Sequence, residues 1–204
     1  KRGDINYVLQ LLVAHGASEE ILVDVHPHIG SNKLPDIISE IRKTIESRGG
    51  EVRFNSRLTD ILIHENQVSG LMLGSDIIPC RQIILATGHS ARDIYKILHE
   101  KNVFIEVKPF AVGFRIEHPQ SLIDEIQYHC VTRPDTLPAS SYNLACQVGD
   151  KGVFSFCMCP GGFIVPAATQ PGEVVVNGMS PSRRDSKFAN SGIVVAVNEN
   201  DFKP

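Results

Sequence analysis

Between Leu34 and Gly88 the hydrophobic pattern changes period three times, and that succession restricts the fold more than any other feature of the chain. Over 34–48, Leu34, Ile37, Ile38, Ile41 and Ile45 recur at the i, i+3, i+4, i+7 spacing of an amphipathic helix, and Gly49-Gly50 stops it. EVRFN at 51–55 then reads as a short strand. TDILIHEN, QVSGLMLG and DIIPC read as three short strands with turns at Glu65-Asn66 and Gly74-Ser75, an antiparallel ribbon. RQIILATG at 81–88 is a β-branched apolar run, the pattern of a strand buried on both faces of a parallel sheet. Helix, strand, ribbon and buried strand in this order predict an α/β region.

Upstream, Ile5, Val8, Leu9, Leu11 and Leu12 predict a short helix over 5–15, with Gly16 where a terminator would sit. HPHIGSNKL reads as a loop in which Ser31 or Asn32 caps the next helix. ARDIYKILHE at 91–100 predicts a further helix capped by Ser90. From about Phe110 the texture changes to FAVGFRIEH, YNLACQVG, GVFSFCMC, GFIVPAAT, EVVVNGM and GIVVAVN, strand-like runs separated by Pro, Gly, Asp and Ser turns, with one helix over 120–128. The expected organisation is an α/β domain over 1–108 and a β-rich domain over 109–204.

A chain of 204 residues with 42% hydrophobic content can bury a real core. Its net charge of −3 supplies no broad basic field, so neither nucleic acid nor an anionic membrane surface has electrostatic support as a partner. No apolar run approaches the ~20 residues that span a bilayer. KRGDINYVLQ lacks the apolar centre and cleavage site of a signal peptide, and a cytoplasmic location is expected. Five cysteines, an odd number without a paired framework, fit reduced thiols. The chain starts at Lys1 without an initiator Met and stops soon after GIVVAVN, so it is expected to be an internal segment of a longer protein.

GGEVRFNSRLTDIL followed by IILATG resembles the middle of the FAD-binding domain of glutathione reductase-like flavoproteins. PHIGSNKL at 27–34, LATGHSARD at 85–93, FCMCPGGFIVPA at 156–167 and NGMSPSRRDSKFANSG at 177–192 narrow the likeness. In that order they resemble the FAD-dependent dehydrogenases often labelled NAD(FAD)-utilising dehydrogenases. The resemblance implies a partial FAD-binding, Rossmann-like domain, with parallel strands and the antiparallel ribbon, followed by a β-rich substrate-side domain. Members of the family begin with a strand, a GxGxxG turn and a helix whose N-terminus receives the pyrophosphate, and they close the flavin site with a C-terminal Gly-rich segment. Neither string occurs in this chain. FAD is therefore expected in the full-length oxidoreductase, with poor binding and no catalysis by these residues alone. NAD(P)H as electron donor and an unnamed small-molecule substrate complete the expectation.

By the same resemblance Ala86, Thr87 and Gly88 lie along the FAD, and the Arg57-Leu58 junction holds the adenine through backbone groups. His28, Ile29 and Gly30 lie beside the isoalloxazine, glycine permitting close approach. Each string also reads plainly, as a strand-ending turn, a strand connection and a helix-entry loop. Cys157 and Cys159 alternate along a strand, which points both sulfurs to one face, and Cys159 is the candidate to meet a substrate. The bare N–H groups of Gly161-Gly162 are candidates to face the flavin ring or an anionic part of the substrate. In the loop carrying Arg183, Arg184 and Asp185, Arg183 is the candidate guanidinium for a carboxylate or a nicotinamide-nucleotide phosphate. The cysteines lack both C-x-x-C spacing and two further ligands at zinc spacing, so no metal is expected. The competing readings are a non-redox α/β module that binds a metabolite or a protein, and a thiol or metal protein built on Cys157 and Cys159.

Overall fold

The computed structural model describes residues 3–202. The chain forms two compact units: one runs up to Gly50 and resumes at Pro109, and the other is Glu51–Lys108. The division thus falls at two places, and the N-terminal helices belong with the β-rich half of the chain.

Helix α1 spans Ile5–Ala14, and the Asp4 carboxylate caps it by accepting from the Tyr7 N–H at 3.1 Å. Helix α2 spans Leu34–Ser47. Their apolar faces close on a small core in which Ile21 and Ile37 are each 1% exposed, packed by Leu9, Leu12, Val13, Ile29 and Ile41. Ser31 and Asn32 do not cap α2; Lys33 holds the cap position without a side-chain bond. Tertiary bonds have taken both residues. Ser31 donates its N–H and hydroxyl to the Ser180 carbonyl at 3.0 and 3.3 Å, and the Asn32 carboxamide exchanges two hydrogen bonds with Ser182.

In the Glu51–Lys108 unit, β1 (Asp60–His64), β2 (Gln67–Leu73) and β3 (Asp76–Pro79) form the expected ribbon, antiparallel throughout. Glu65 and Asn66 both take positive φ, 50° and 61°, as a two-residue primed turn requires. Helix α3 spans Arg92–Glu100 with Ala91, and not Ser90, at its N-cap position and no side-chain cap bond. EVRFN and RQIILATG are not strands. Among the described residues every sheet is antiparallel, so the expected Rossmann-like parallel strands are not present. A strand persists only where neighbours take its N–H and C=O groups. The three ribbon strands satisfy one another, RQIILATG has no such neighbour, and its Ile84 side chain is 93% exposed.

Beyond Pro109 come β4 (Phe110–Pro119), α4 (Gln120–Tyr128), β5 (Ala145–Val148), β6 (Lys151–Cys159), β7 (Phe163–Pro166), β8 (Val176–Met179) and β9 (Phe188–Val197). Strands β4-β9-β6-β5 make one antiparallel sheet, and β7-β8 pair as a hairpin. Central β9 buries Ala189, Asn190, Ser191 and Gly192 at its start. Where β6 meets this stretch its register slips between Phe156 and Cys159.

Candidate functional site

Three segments of the larger unit converge: the loop His28–Asn32 before α2, the turn Cys159–Gly162 after β6, and the loop Ser180–Arg184 before β9. The His28 Nε2–H donates to the Pro181 carbonyl at 3.0 Å, and the Ser180 hydroxyl donates to the Pro160 carbonyl at 2.9 Å. Gly30 is buried at φ 94°, and a Cβ there would run into the Ser182 backbone. At Gly161, φ is 52° and a Cβ would collide with the Arg184 carbonyl. Both positions need glycine because another backbone segment passes directly over them.

Below the turn lies a buried polar network. Gly161 N–H donates to Gln120 Oε1 at 2.7 Å, and Gln120 Nε2 donates in turn to Asp124 Oδ1 at 2.8 Å. Asp124, 5% exposed, also accepts from the N–H and hydroxyl of Ser140 at 2.9 and 2.7 Å and from Arg133 Nε at 2.8 Å. Burial alone pushes this carboxyl up, but the bonds from Ser140, Gln120 and Arg133 outweigh it and hold the pKa below the usual aspartate value. The carboxylate stays charged and ties α4 to the glycine turn.

On the sheet itself Arg115 donates from Nη1 to Asn190 Oδ1 at 2.5 Å and to the Cys157 carbonyl at 3.1 Å. Its Nη1 lies 3.9 Å from Cys159 Sγ. Asn190 sits opposite Cys159 in the β6–β9 register and is 0% exposed, yet its Nδ2 has no partner. Arg184 Nε is likewise buried and unpartnered. Two orphan donors therefore flank Cys159 and the glycine turn, an uncommon cost for a fold to carry.

The two cysteines do not share a face. The register slip puts Cys157 at φ 48° and exposes it, while Cys159 is 7% exposed and donates from Sγ to the Cys157 carbonyl at 3.4 Å. Burial, aided by neighbouring Cys157, pushes the Cys159 thiol up, and Arg115 pulls it back only in part. Cys159 is thus a neutral thiol near pH 7 and is not activated as a nucleophile.

The remaining expected site residues separate into three groups. Ile29 is half-buried and packs against the helical core. The Gly161 and Gly162 N–H groups are committed within the fold, to Gln120 and to the Phe188 carbonyl at 2.9 Å, so they are not free donors toward a ring or an anion. Arg183 is exposed; the half-buried guanidinium of the pair belongs to Arg184. In the Glu51–Lys108 unit, exposed Arg57 forms a two-pronged ion pair with Asp93 Oδ2 at 2.7 and 3.1 Å, and Leu58 is half-buried. Ala86, Thr87 and Gly88 are exposed, and Gly88, at φ 77°, has open space where a Cβ would stand. Sequence reasoning missed Arg115, Gln120, Asp124 and Asn190. Asn190 fell inside a string carrying the family likeness, while Arg115 lay in the expected strand FAVGFRIEH and Gln120 and Asp124 in the expected helix over 120–128, none of them marked as a site residue.

Comparison with known proteins adds two findings. The chain is 42% identical over 200 residues to an uncharacterised protein of Clostridium beijerinckii; the alignment takes in 97% of this chain and spans 38% of the length of that relative. Residues 109–204, which carry the glycine turn, Arg115, Arg184 and Asn190, match the family model described as FAD-dependent protein, C-terminal domain-like. This match supports an FAD-dependent family for the chain, and the structure around it is a mixed helix and antiparallel-sheet fold.

Proposed function

We propose that the chain is part of an FAD-dependent oxidoreductase of the dehydrogenase type, acting on a small molecule in the cytoplasm. The observation that carries the reading is the family match over 109–204, the segment that supplies two of the three loops at the junction. The residues of the larger unit suit a polar cofactor: the buried Asn190 Nδ2 lies at the junction without a partner. In the larger unit the proposed FAD contacts are His28, Gly30 and the Gly161-Gly162 turn, with Asn190 Nδ2 as donor and Cys159 on the substrate side. FAD, when bound, would supply hydride acceptance, and NAD(P)H is the electron donor to test. The protein would supply orientation, exclusion of water and hydrogen bonds to the ring.

The same reading assigns EVRFN and RQIILATG to a parallel, Rossmann-like sheet completed by chain that longer relatives possess. Their exposed apolar residues, Phe54 at 68% and Ile84 at 93%, support it, since such side chains seek cover. Purified full-length protein should show the visible bands of an oxidised flavin, which bleach on reduction with dithionite. A colourless preparation that stays colourless after incubation with FAD would reject the assignment.

A further inference from the structure

Arg184 stands at the margin of two open cavities, of about 460 and 790 Å³, that share it with His26, Pro138 and Ala139. Three observations single out its guanidinium. Its Nε is buried with no acceptor. Its backbone is held at φ 51°, a conformation that non-glycine residues seldom adopt, in a turn closed by its own N–H to the Pro181 carbonyl at 3.0 Å. The other arginines on the smaller cavity are differently placed: Arg133 donates to Asp124 and to the Leu137 carbonyl, and Arg183 is exposed.

The geometry points to Arg184 as the anchor for the carboxylate of a small monoanionic ligand in this cavity. A half-buried guanidinium on a cavity wall offers paired N–H donors that match the two oxygens of a carboxylate. Charge on the wall selects against more anionic groups. Glu20, Asp24 and Asp135 line the same cavity as Arg183 and Arg184, while the charge of Arg133 is already neutralised by Asp124. A phosphate dianion would meet three carboxylates against two cations, Arg183 and Arg184, the second already attracted by Asp24, whereas one carboxylate on Arg184 adds a single charge. The cavity is therefore a carboxylate subsite and not a nicotinamide-nucleotide phosphate site. That this carboxylate belongs to the substrate rests on the oxidoreductase reading; the binding itself does not.

The test is a ligand-observed NMR titration of the full-length protein with benzoate, its neutral isostere benzamide, and inorganic phosphate as competitor. Benzoate should bind about 10-fold tighter than benzamide or better, and Arg184→Gln should weaken benzoate by about 10- to 100-fold, the range for a charged hydrogen-bonding pair. Arg183→Gln should change it by less than about 3-fold, as expected for an exposed charge. Arg184→Lys, which keeps the charge and loses the fork, serves as the second variant and should also lose most of the affinity; circular dichroism verifies that each variant folds. Equal binding of benzoate by wild type and either folded Arg184 variant overturns the proposal. So does displacement of benzoate by equimolar phosphate, or no benzoate binding by the wild type. The visible spectrum judges the flavin reading separately: a colourless protein that still holds benzoate through Arg184 rejects that reading and sustains this one.

Discussion

Asp124 governs the geometry of the junction although it touches none of the three loops. It is held by donors from Gln120, Arg133 and Ser140, and Gln120 passes the constraint on to Gly161. Asp124→Ala leaves those donors buried without an acceptor and should cost about 2–4 kcal/mol, measured by urea unfolding followed by circular dichroism. The pH dependence follows from the depressed pKa. The folded form keeps the proton off more readily than the unfolded form, so the stabilisation is complete above the ordinary aspartate pKa of about 4 and is lost as pH falls through the lower folded value. The stability difference between wild type and Asp124→Ala should therefore narrow between about pH 5 and pH 2; a constant difference would contradict the network. None of this was legible in SLIDEIQ, because its partners are supplied by loops 9 and 16 residues downstream. Gly30 was legible as a point of close approach, but what approaches it, the backbone of Ser182, was not, and the close passage of Arg184 over Gly161 left no sign in the sequence. Nor does adjacency in the sequence tell Arg183 from Arg184; a left-handed turn decides which guanidinium is half-buried.

At the scale of elements, patterns succeeded wherever the pairing partner lies in the same chain. The ribbon formed with both turns at the expected residues, and β4, β9 and α4 stand where alternation and helical spacing put them. RQIILATG failed for want of a neighbour, since its composition describes the environment of a buried strand and not the presence of one. The cysteine pair failed because a one-residue irregularity reverses which face a side chain occupies, and FCMC carries no mark of it. If RQIILATG joins a sheet in the longer protein, its amides at 82–86 should exchange near the random-coil rate in the 204-residue chain and be slowed by about 100-fold or more in full-length protein. Fast exchange in both, read by mass spectrometry, would mean that no partner strand adds there.

At the scale of the molecule, the chain spans 38% of the length of its Clostridium beijerinckii relative. Large side chains such as Ile84, Phe104 and Phe114 are more than four-fifths exposed. Among the described residues no helix is long and apolar enough to cross a membrane. Under the proposal above, activity belongs to the full-length protein and this chain contributes part of the cofactor contacts. The proposal stands or falls on the identity of the cofactor. Full-length protein, purified without added flavin, should release on denaturation about one FAD per chain, identified by chromatography against FAD and FMN standards. Release of FMN alone, or no flavin before or after reconstitution with FAD, would contradict it.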